Sequence, residues 1–159
     1  MSDEKTENTE DSTPEISKEV LEWERFAEMD YTTAHHLDKT LYPKPMEIVC
    51  YHCQQCAEKA FKGYLLWRRH RLYDGHNLPW LCKQAMAEDP HFEDRLQLAS
   101  DINHYYIEAR YPADFLLQLD SESASDLIVQ TSDLLTFVDS LVKFDFQSYR
   151  QKKIPPGQR

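Results

Sequence analysis

Glycine stands at only three of 159 positions, 63, 75 and 157. Tight hairpins depend on glycine for positive φ, so a chain this poor in it suits long helices better than many short strands. Proline supplies the punctuation instead. Pro43, Pro45, Pro79, Pro90 and Pro112 divide the middle of the chain into long proline-free runs. Each proline disfavours helix at the residue before it, so these runs read as helices with defined ends.

Four main helices and one shorter one are expected. The first spans about Ser17 to Leu41, with Ser17 as N-cap and Trp23, Phe26, Ala27, Ala34, Leu37 and Leu41 at mostly helical spacing. The segment "YPKP" at 42–45 ends it. The second spans about Met46 to Arg71, and Asp74-Gly75 marks a turn after it. The short helix runs from about Leu78 to Glu88 and stops at Asp89-Pro90. The next spans about Phe92 to Arg110, with Leu96, Ala99, Ile102, Tyr105 and Tyr106 inward, and Pro112 stops it. The last covers about Ser123 to Phe146. Ser123 to Asp126 resembles a capping box, and Leu127, Leu134, Val138, Leu141 and Val142 line its inner side. Long amphipathic helices joined by short breaks predict an all-α fold, an antiparallel up-and-down bundle.

The formal charge of -10 is concentrated at the start: residues 1–19 carry seven acids and two lysines, half of the net charge. Residues 1–15 read as a disordered acidic tail, 16–147 as the bundle, and 148–159 as a basic, proline-containing tail. An acidic total argues against nonspecific duplex binding, while leaving room for a local nucleotide site. No apolar run approaches the roughly 20 residues that span a bilayer. The first residues lack the basic-then-apolar order of a signal peptide, so a cytoplasmic protein with reduced thiols and no membrane contact is expected.

One stretch looks chemical. "CYHCQQCAEKAFKGYLL", from Cys50, packs three cysteines and a histidine into seven residues. At about 100° per residue, Val49, Cys53, Cys56, Ala57, Ala60, Tyr64 and Trp67 share one stripe, and Cys50 lies away from it. Cysteines at i, i+3 and i+6 splay over most of a turn, and Cys82 supplies no second CxxC pair. Small core residues are the expected role of Cys53 and Cys56, with no metal and no cofactor. His52, Gln55, Lys59 and Lys62 form a neighbouring polar row flanked by Ile48 and Leu66. The row suits a solvated edge, a cleft or a subunit interface. Arg68, Arg69, His70 and Arg71 follow, complementing the helix dipole or attracting phosphate.

"CYHCQQCAEKAFKGYLLWR", "GHNLPWLCKQA" and "YYIEARYP" together resemble the HEPN family, small helical domains of nucleotide-binding proteins. The matching motifs are His-x-Gln-Gln-x-x-Glu-Lys-Ala at 52–60, the turn at Gly75 to Leu78 that contains His76, and Arg110 to Pro112. The likeness covers about residues 20–145. It implies a homodimer near RNA or nucleotides. Many such proteins are toxin components of toxin–antitoxin pairs, encoded beside a nucleotidyltransferase. Others are metal-independent endoribonucleases with an Arg, a polar residue and a His four to six positions on. This chain departs from that signature, with Tyr111 after Arg110 and no histidine following. Arg71 and His76 have the spacing, but at a different place in the chain.

The resemblance and the residues together give three expectations. The first is a dimeric binding module for a nucleotidyltransferase partner, a nucleotide or single-stranded RNA, without strong catalysis. The second is an endoribonuclease with a displaced site, and the third a structural oligomerisation bundle. Candidate binding residues are His52, Gln55, Lys59, Lys62, His104, Glu108, Arg110 and Tyr111. His104 and Glu108 fall on one helical face, where with Arg110 they suit a phosphate, a base or a buried polar network. No catalytic residue is assigned. His76 is expected to cap its turn or tie it to a neighbouring helix.

Overall fold

The computed structural model describes residues 13–109, 120–144 and 155–158, with side chains for all of these except 104–109. Among the described residues the secondary structure is entirely helical. In chain order, α1 is Lys18–Thr40, α2 Met46–Arg69, α3 Leu78–Glu88, α4 Leu96–Ala109 and α5 Ser121–Val142; a 3-10 segment, Pro90–Arg95, precedes α4.

The ends of the helices follow local chemistry. Ser17 Oγ accepts from the Val20 N–H, and Asn77 Oδ1 accepts from the Trp80 N–H with Pro79 inside the first turn of α3. α2 stops two residues earlier than the sequence suggested. His70 adopts the left-handed conformation (φ 52°), and its N–H closes on Leu66 O. Arg68 and Arg69 occupy the last turn, where positive charge opposes the dipole.

Two further boundaries correct the sequence reading. The expected single helix from Phe92 begins instead as a 3-10 segment capped by Asp89, whose carboxylate accepts from the His91 N–H. Phe92 is fully buried from that segment, with ring centroids 4.6 Å from Tyr64 and 4.9 Å from Phe137. Burying such a ring stabilises by about 1.5–3 kcal/mol, which accounts for a tight segment being kept there. The last helix begins at Ser121, and its cap is Asp120, which accepts from the Ser123 N–H at 2.7 Å. Ser123 is thus inside the first turn and not the cap.

α2 is the centre of the molecule, packing against α1, α3, α4 and α5. Val49, Cys53, Cys56, Ala57, Ala60, Tyr64 and Trp67 are buried, and so is Cys50, against the expectation that it lies away from the core. A single buried stripe describes a helix packed on one side, and α2 is covered on several. α1 crosses it antiparallel: early Trp23 and Glu24 lie beside Gly63, and later Asp30 beside His52 and Lys59. A Cβ at Gly63 would sit 2.6 Å from Glu24 Oε1 and 3.2 Å from Trp23 Cβ, so glycine permits this close approach.

Ala27 and Ala34 of α1 are buried as the spacing indicates, whereas Phe26 and Leu41 are exposed. On α5, Leu127, Leu134, Val138 and Val142 are buried and Leu141 partly so. Ala99 and Ile102 anchor α4; the side chains of Tyr105 and Tyr106 lie outside the described set. The short α1–α2 connection is pinned to the start of α5 by Lys44. Its Nζ lies 2.5 Å from Asp38 Oδ1 and 2.9 Å from Ser125 Oγ.

No helix among the described residues is long and apolar enough to cross a membrane. The described segment 13–17 runs along the bundle, where Trp67 Nε1 donates to Pro14 O at 2.8 Å.

Candidate functional site

The polar row of α2 faces α1, and it is engaged along its whole length. His52 Nδ1 lies 2.9 Å from Asp30 Oδ1, and Lys59 Nζ donates to Asp30 Oδ2. Gln55 donates to Gln54 at 2.6 Å. Lys62 is buried, donating to Glu58 Oε1 at 2.8 Å. The structure thus divides the row between two clusters: His52 and Lys59 meet Asp30 of α1, whereas Gln55, through Gln54, and Lys62 join Glu58 within α2.

Glu58 is the hub. Its buried carboxylate also accepts from Gln54 Nε2 at 2.9 Å, and His76 Nδ1 lies 2.9 and 3.0 Å from its two oxygens. Burial pushes the Glu58 carboxyl up, but hydrogen bonds from Lys62, His76 and Gln54 outweigh it and hold the group below its ordinary value. A carboxylate kept ionised accepts the His76 Nδ1–H. That fixes the orientation of the ring and leaves Nε2 outside the bond. The His76 side chain is 65% exposed, so Nε2 is open to a ligand. His76 therefore ties its turn to α2.

Beside this network lies an aromatic depression of about 290 Å³ between α1 and α2, lined by Glu19, Glu22, Trp23, Phe26 and Lys59. Phe26 is 44% exposed there. The Lys59 ammonium lies 5.9 Å from the Phe26 ring centre, and Lys62 lies 6.0 Å from that of Trp23. A flat apolar floor beside cations held by carboxylates suits stacking of a planar ring better than capture of a bare anion.

Sequence reasoning missed a second kind of group on α1. Glu24 is fully buried, and neither carboxylate oxygen has a hydrogen-bond partner among the described residues. Burial, and secondarily Asp139, holds its carboxyl well above the usual range. Asp30 was missed as well, although it organises half of the polar row. Neither acid carries a sequence signal: both sit in a stretch of α1 with many other acids. Trp23 and Phe26 were legible only as core residues.

The remaining candidates separate. His104 and Glu108 both lie within α4, but their side chains are not among those described; Arg110 and Tyr111 lie outside the described residues. Arg68 and Arg69 are committed to Glu88, with Arg69 Nε 2.5 Å from Oε1. Cys50, Cys53, Cys56 and Cys82 are free and buried. Burial raises Cys50 and Cys53 to about 12 and Cys82 to about 11, disfavouring the thiolate that metal ligation and nucleophilic attack require. Among the described residues no three His, Cys, Asp or Glu side chains are gathered to hold an ion.

The family model for the HEPN domain matches residues 20–141. A crystal structure of an archaeal HEPN homologue is similar at 26% identity and a TM-score of 0.61, covering 77% of this chain and 97% of that one. No curated protein matches.

Proposed function

The chain belongs to the HEPN family, and from that premise we propose that it is a helical binding module for a nucleotide or single-stranded RNA, acting as a cytoplasmic homodimer beside a nucleotidyltransferase partner, without strong catalysis. The observation that carries this reading is the aromatic depression of Trp23 and Phe26 bordered by Lys59. Its size suits one base, and base–aromatic stacking is worth about 1–3 kcal/mol. The polar row adds orientation. Its cations are neutralised by Asp30 and Glu58, so it supplies hydrogen bonds and shape more than net charge. Arg110 and Tyr111, with His104 and Glu108, are proposed as the phosphate and base contacts. Ile48 is half exposed beside the row and is proposed as a dimer contact; Ile48→Glu then shifts the mass read by light scattering toward the monomer.

The test is titration of labelled single-stranded RNA and of nucleoside monophosphates in chelator. Binding by wild type that weakens about tenfold in Phe26→Ala or Arg110→Ala supports the module. Absence of binding overturns it.

A second reading, metal-independent RNA cleavage, draws support from one observation: Glu58 fixes the His76 ring with Nε2 exposed, as a proton-transfer group requires. Cleavage in chelator that disappears in His76→Ala would replace the binding reading with this one.

A further inference from the structure

The turn between α2 and α3 carries features that the polar row does not explain. Its cations are of two kinds. Arg68 and Arg69 are paired with Glu88, whereas Arg71 and, on α3, Lys83 have no carboxylate partner among the described residues. Both are exposed. The Arg71 guanidinium lies 4.8 Å over the Tyr73 ring, and Tyr73 meets Trp80 edge-on with centroids 5.6 Å apart. Trp80 is 42% exposed, although a tryptophan this close to a core usually buries more of its ring. Trp80 and Lys83 are three residues apart on α3, hence neighbours on one face. On the same turn stands His76, with Nδ1 held by Glu58 and Nε2 open.

Unpaired cations interleaved with exposed aromatics are the physical signature of a single-stranded polynucleotide surface: phosphate meets the cations and a base stacks on the ring. An apolar protein partner would leave Arg71 and Lys83 without a counter-charge. An imidazole whose Nδ1 is held by Glu58 presents Nε2 to the ligand, and a sugar hydroxyl, which both donates and accepts, pairs with it.

We propose that the α2–α3 turn and the first turns of α3 form a polynucleotide subsite separate from the Trp23–Phe26 depression. Trp80 stacks a base, Arg71 and Lys83 contact phosphates, and His76 Nε2 hydrogen-bonds a ribose 2′-hydroxyl. Glu58 positions His76 and touches no ligand. This rests on the reading that the protein binds polynucleotide, and it adds where a strand longer than one nucleotide runs and why RNA is favoured over DNA.

The experiment uses the full chain, with a labelled 12-nucleotide RNA and the DNA of the same sequence, across a salt series. Trp80→Ala is expected to weaken both about tenfold. Arg71→Ala with Lys83→Ala is expected to weaken both and to flatten the salt slope by roughly 1.4, at about 0.7 per phosphate contact. His76→Phe is expected to remove the preference for RNA while leaving DNA affinity in place. Bromouridine-substituted RNA is expected to crosslink within residues 71–83, which is read on wild type and is independent of any variant's folding. RNA binding that survives all three changes, with crosslinks only on α1, overturns the subsite and leaves the binding module standing. No RNA binding by wild type at low salt overturns both.

Discussion

His76 and Glu58 stand 18 residues apart and meet at 2.9 Å, joining the turn before α3 to the centre of α2. The contact has one wet partner and one dry one. His76 is largely exposed and Glu58 is buried, with Lys62 on its other side. The two halves of the cluster therefore differ in worth. An exposed pair contributes little, whereas a buried lysine depends on its carboxylate.

Glu58→Gln is expected to destabilise the fold by about 3–5 kcal/mol at neutral pH, because it strands the Lys62 ammonium indoors. The folded Glu58 carboxyl titrates below its ordinary value, so its contribution is fully present above the unfolded value of 4.5. It is lost as pH falls through the depressed folded value. Denaturation midpoints of wild type and variant should converge toward the acid end of that window. His76→Ala should cost far less, and equal losses in the two variants would contradict this assignment.

Glu24 has the opposite sign. Its folded carboxyl titrates well above 4.5, so the folded state holds a proton that the unfolded state releases. Stability contributed by this group is greatest at low pH and declines as pH rises above 4.5. Glu24→Gln removes that decline. Its melting temperature relative to wild type should climb steadily with pH, and a gap that stays constant would show Glu24 ionised in the fold.

Gly63→Ala pits helix propensity against space. Alanine gains about 1 kcal/mol in a helix interior. The new methyl would sit 2.6 Å from Glu24 Oε1, a buried side chain with little room to retreat. Overpacking of this kind costs about 1–3 kcal/mol, so a net loss is expected in urea denaturation. A more stable variant would mean that α1 shifts freely at this crossing.

The thiols should be silent. With Cys50 and Cys53 near 12 and all four cysteines buried, an aromatic disulfide reagent should label none of them quickly at pH 8. All four should react in denaturant under nonreducing conditions, which counts out a disulfide. Rapid labelling of one thiol in the native protein would place that cysteine at the surface.

Much of the fold was legible because prolines and periodic apolar residues mark helices directly. α3 matched its expected span from Leu78 to Glu88. The misses have physical causes. Asp120 and Ser123 are both competent caps, and only the carboxylate that reaches the Ser123 N–H decides between them. Cys50 was misplaced because a helical wheel assumes one buried side, whereas α2 packs against four other helices. The polar row was visible, but its partner Asp30 was not, since an acid 22 residues from His52 declares nothing until α1 folds back. The link from His76 to a neighbouring helix was anticipated, and the identity of Glu58 as its anchor was not.

The central position of α2 also governs how the molecule comes apart. A helix that touches α1, α3, α4 and α5 leaves no pair of helices able to detach while keeping a dry interior of its own. Opening should therefore be close to all-or-none. Amide protons in the middle of α2, around Cys56 to Tyr64, should exchange with solvent only through global unfolding, whereas those of the exposed turn at 71–77 exchange freely.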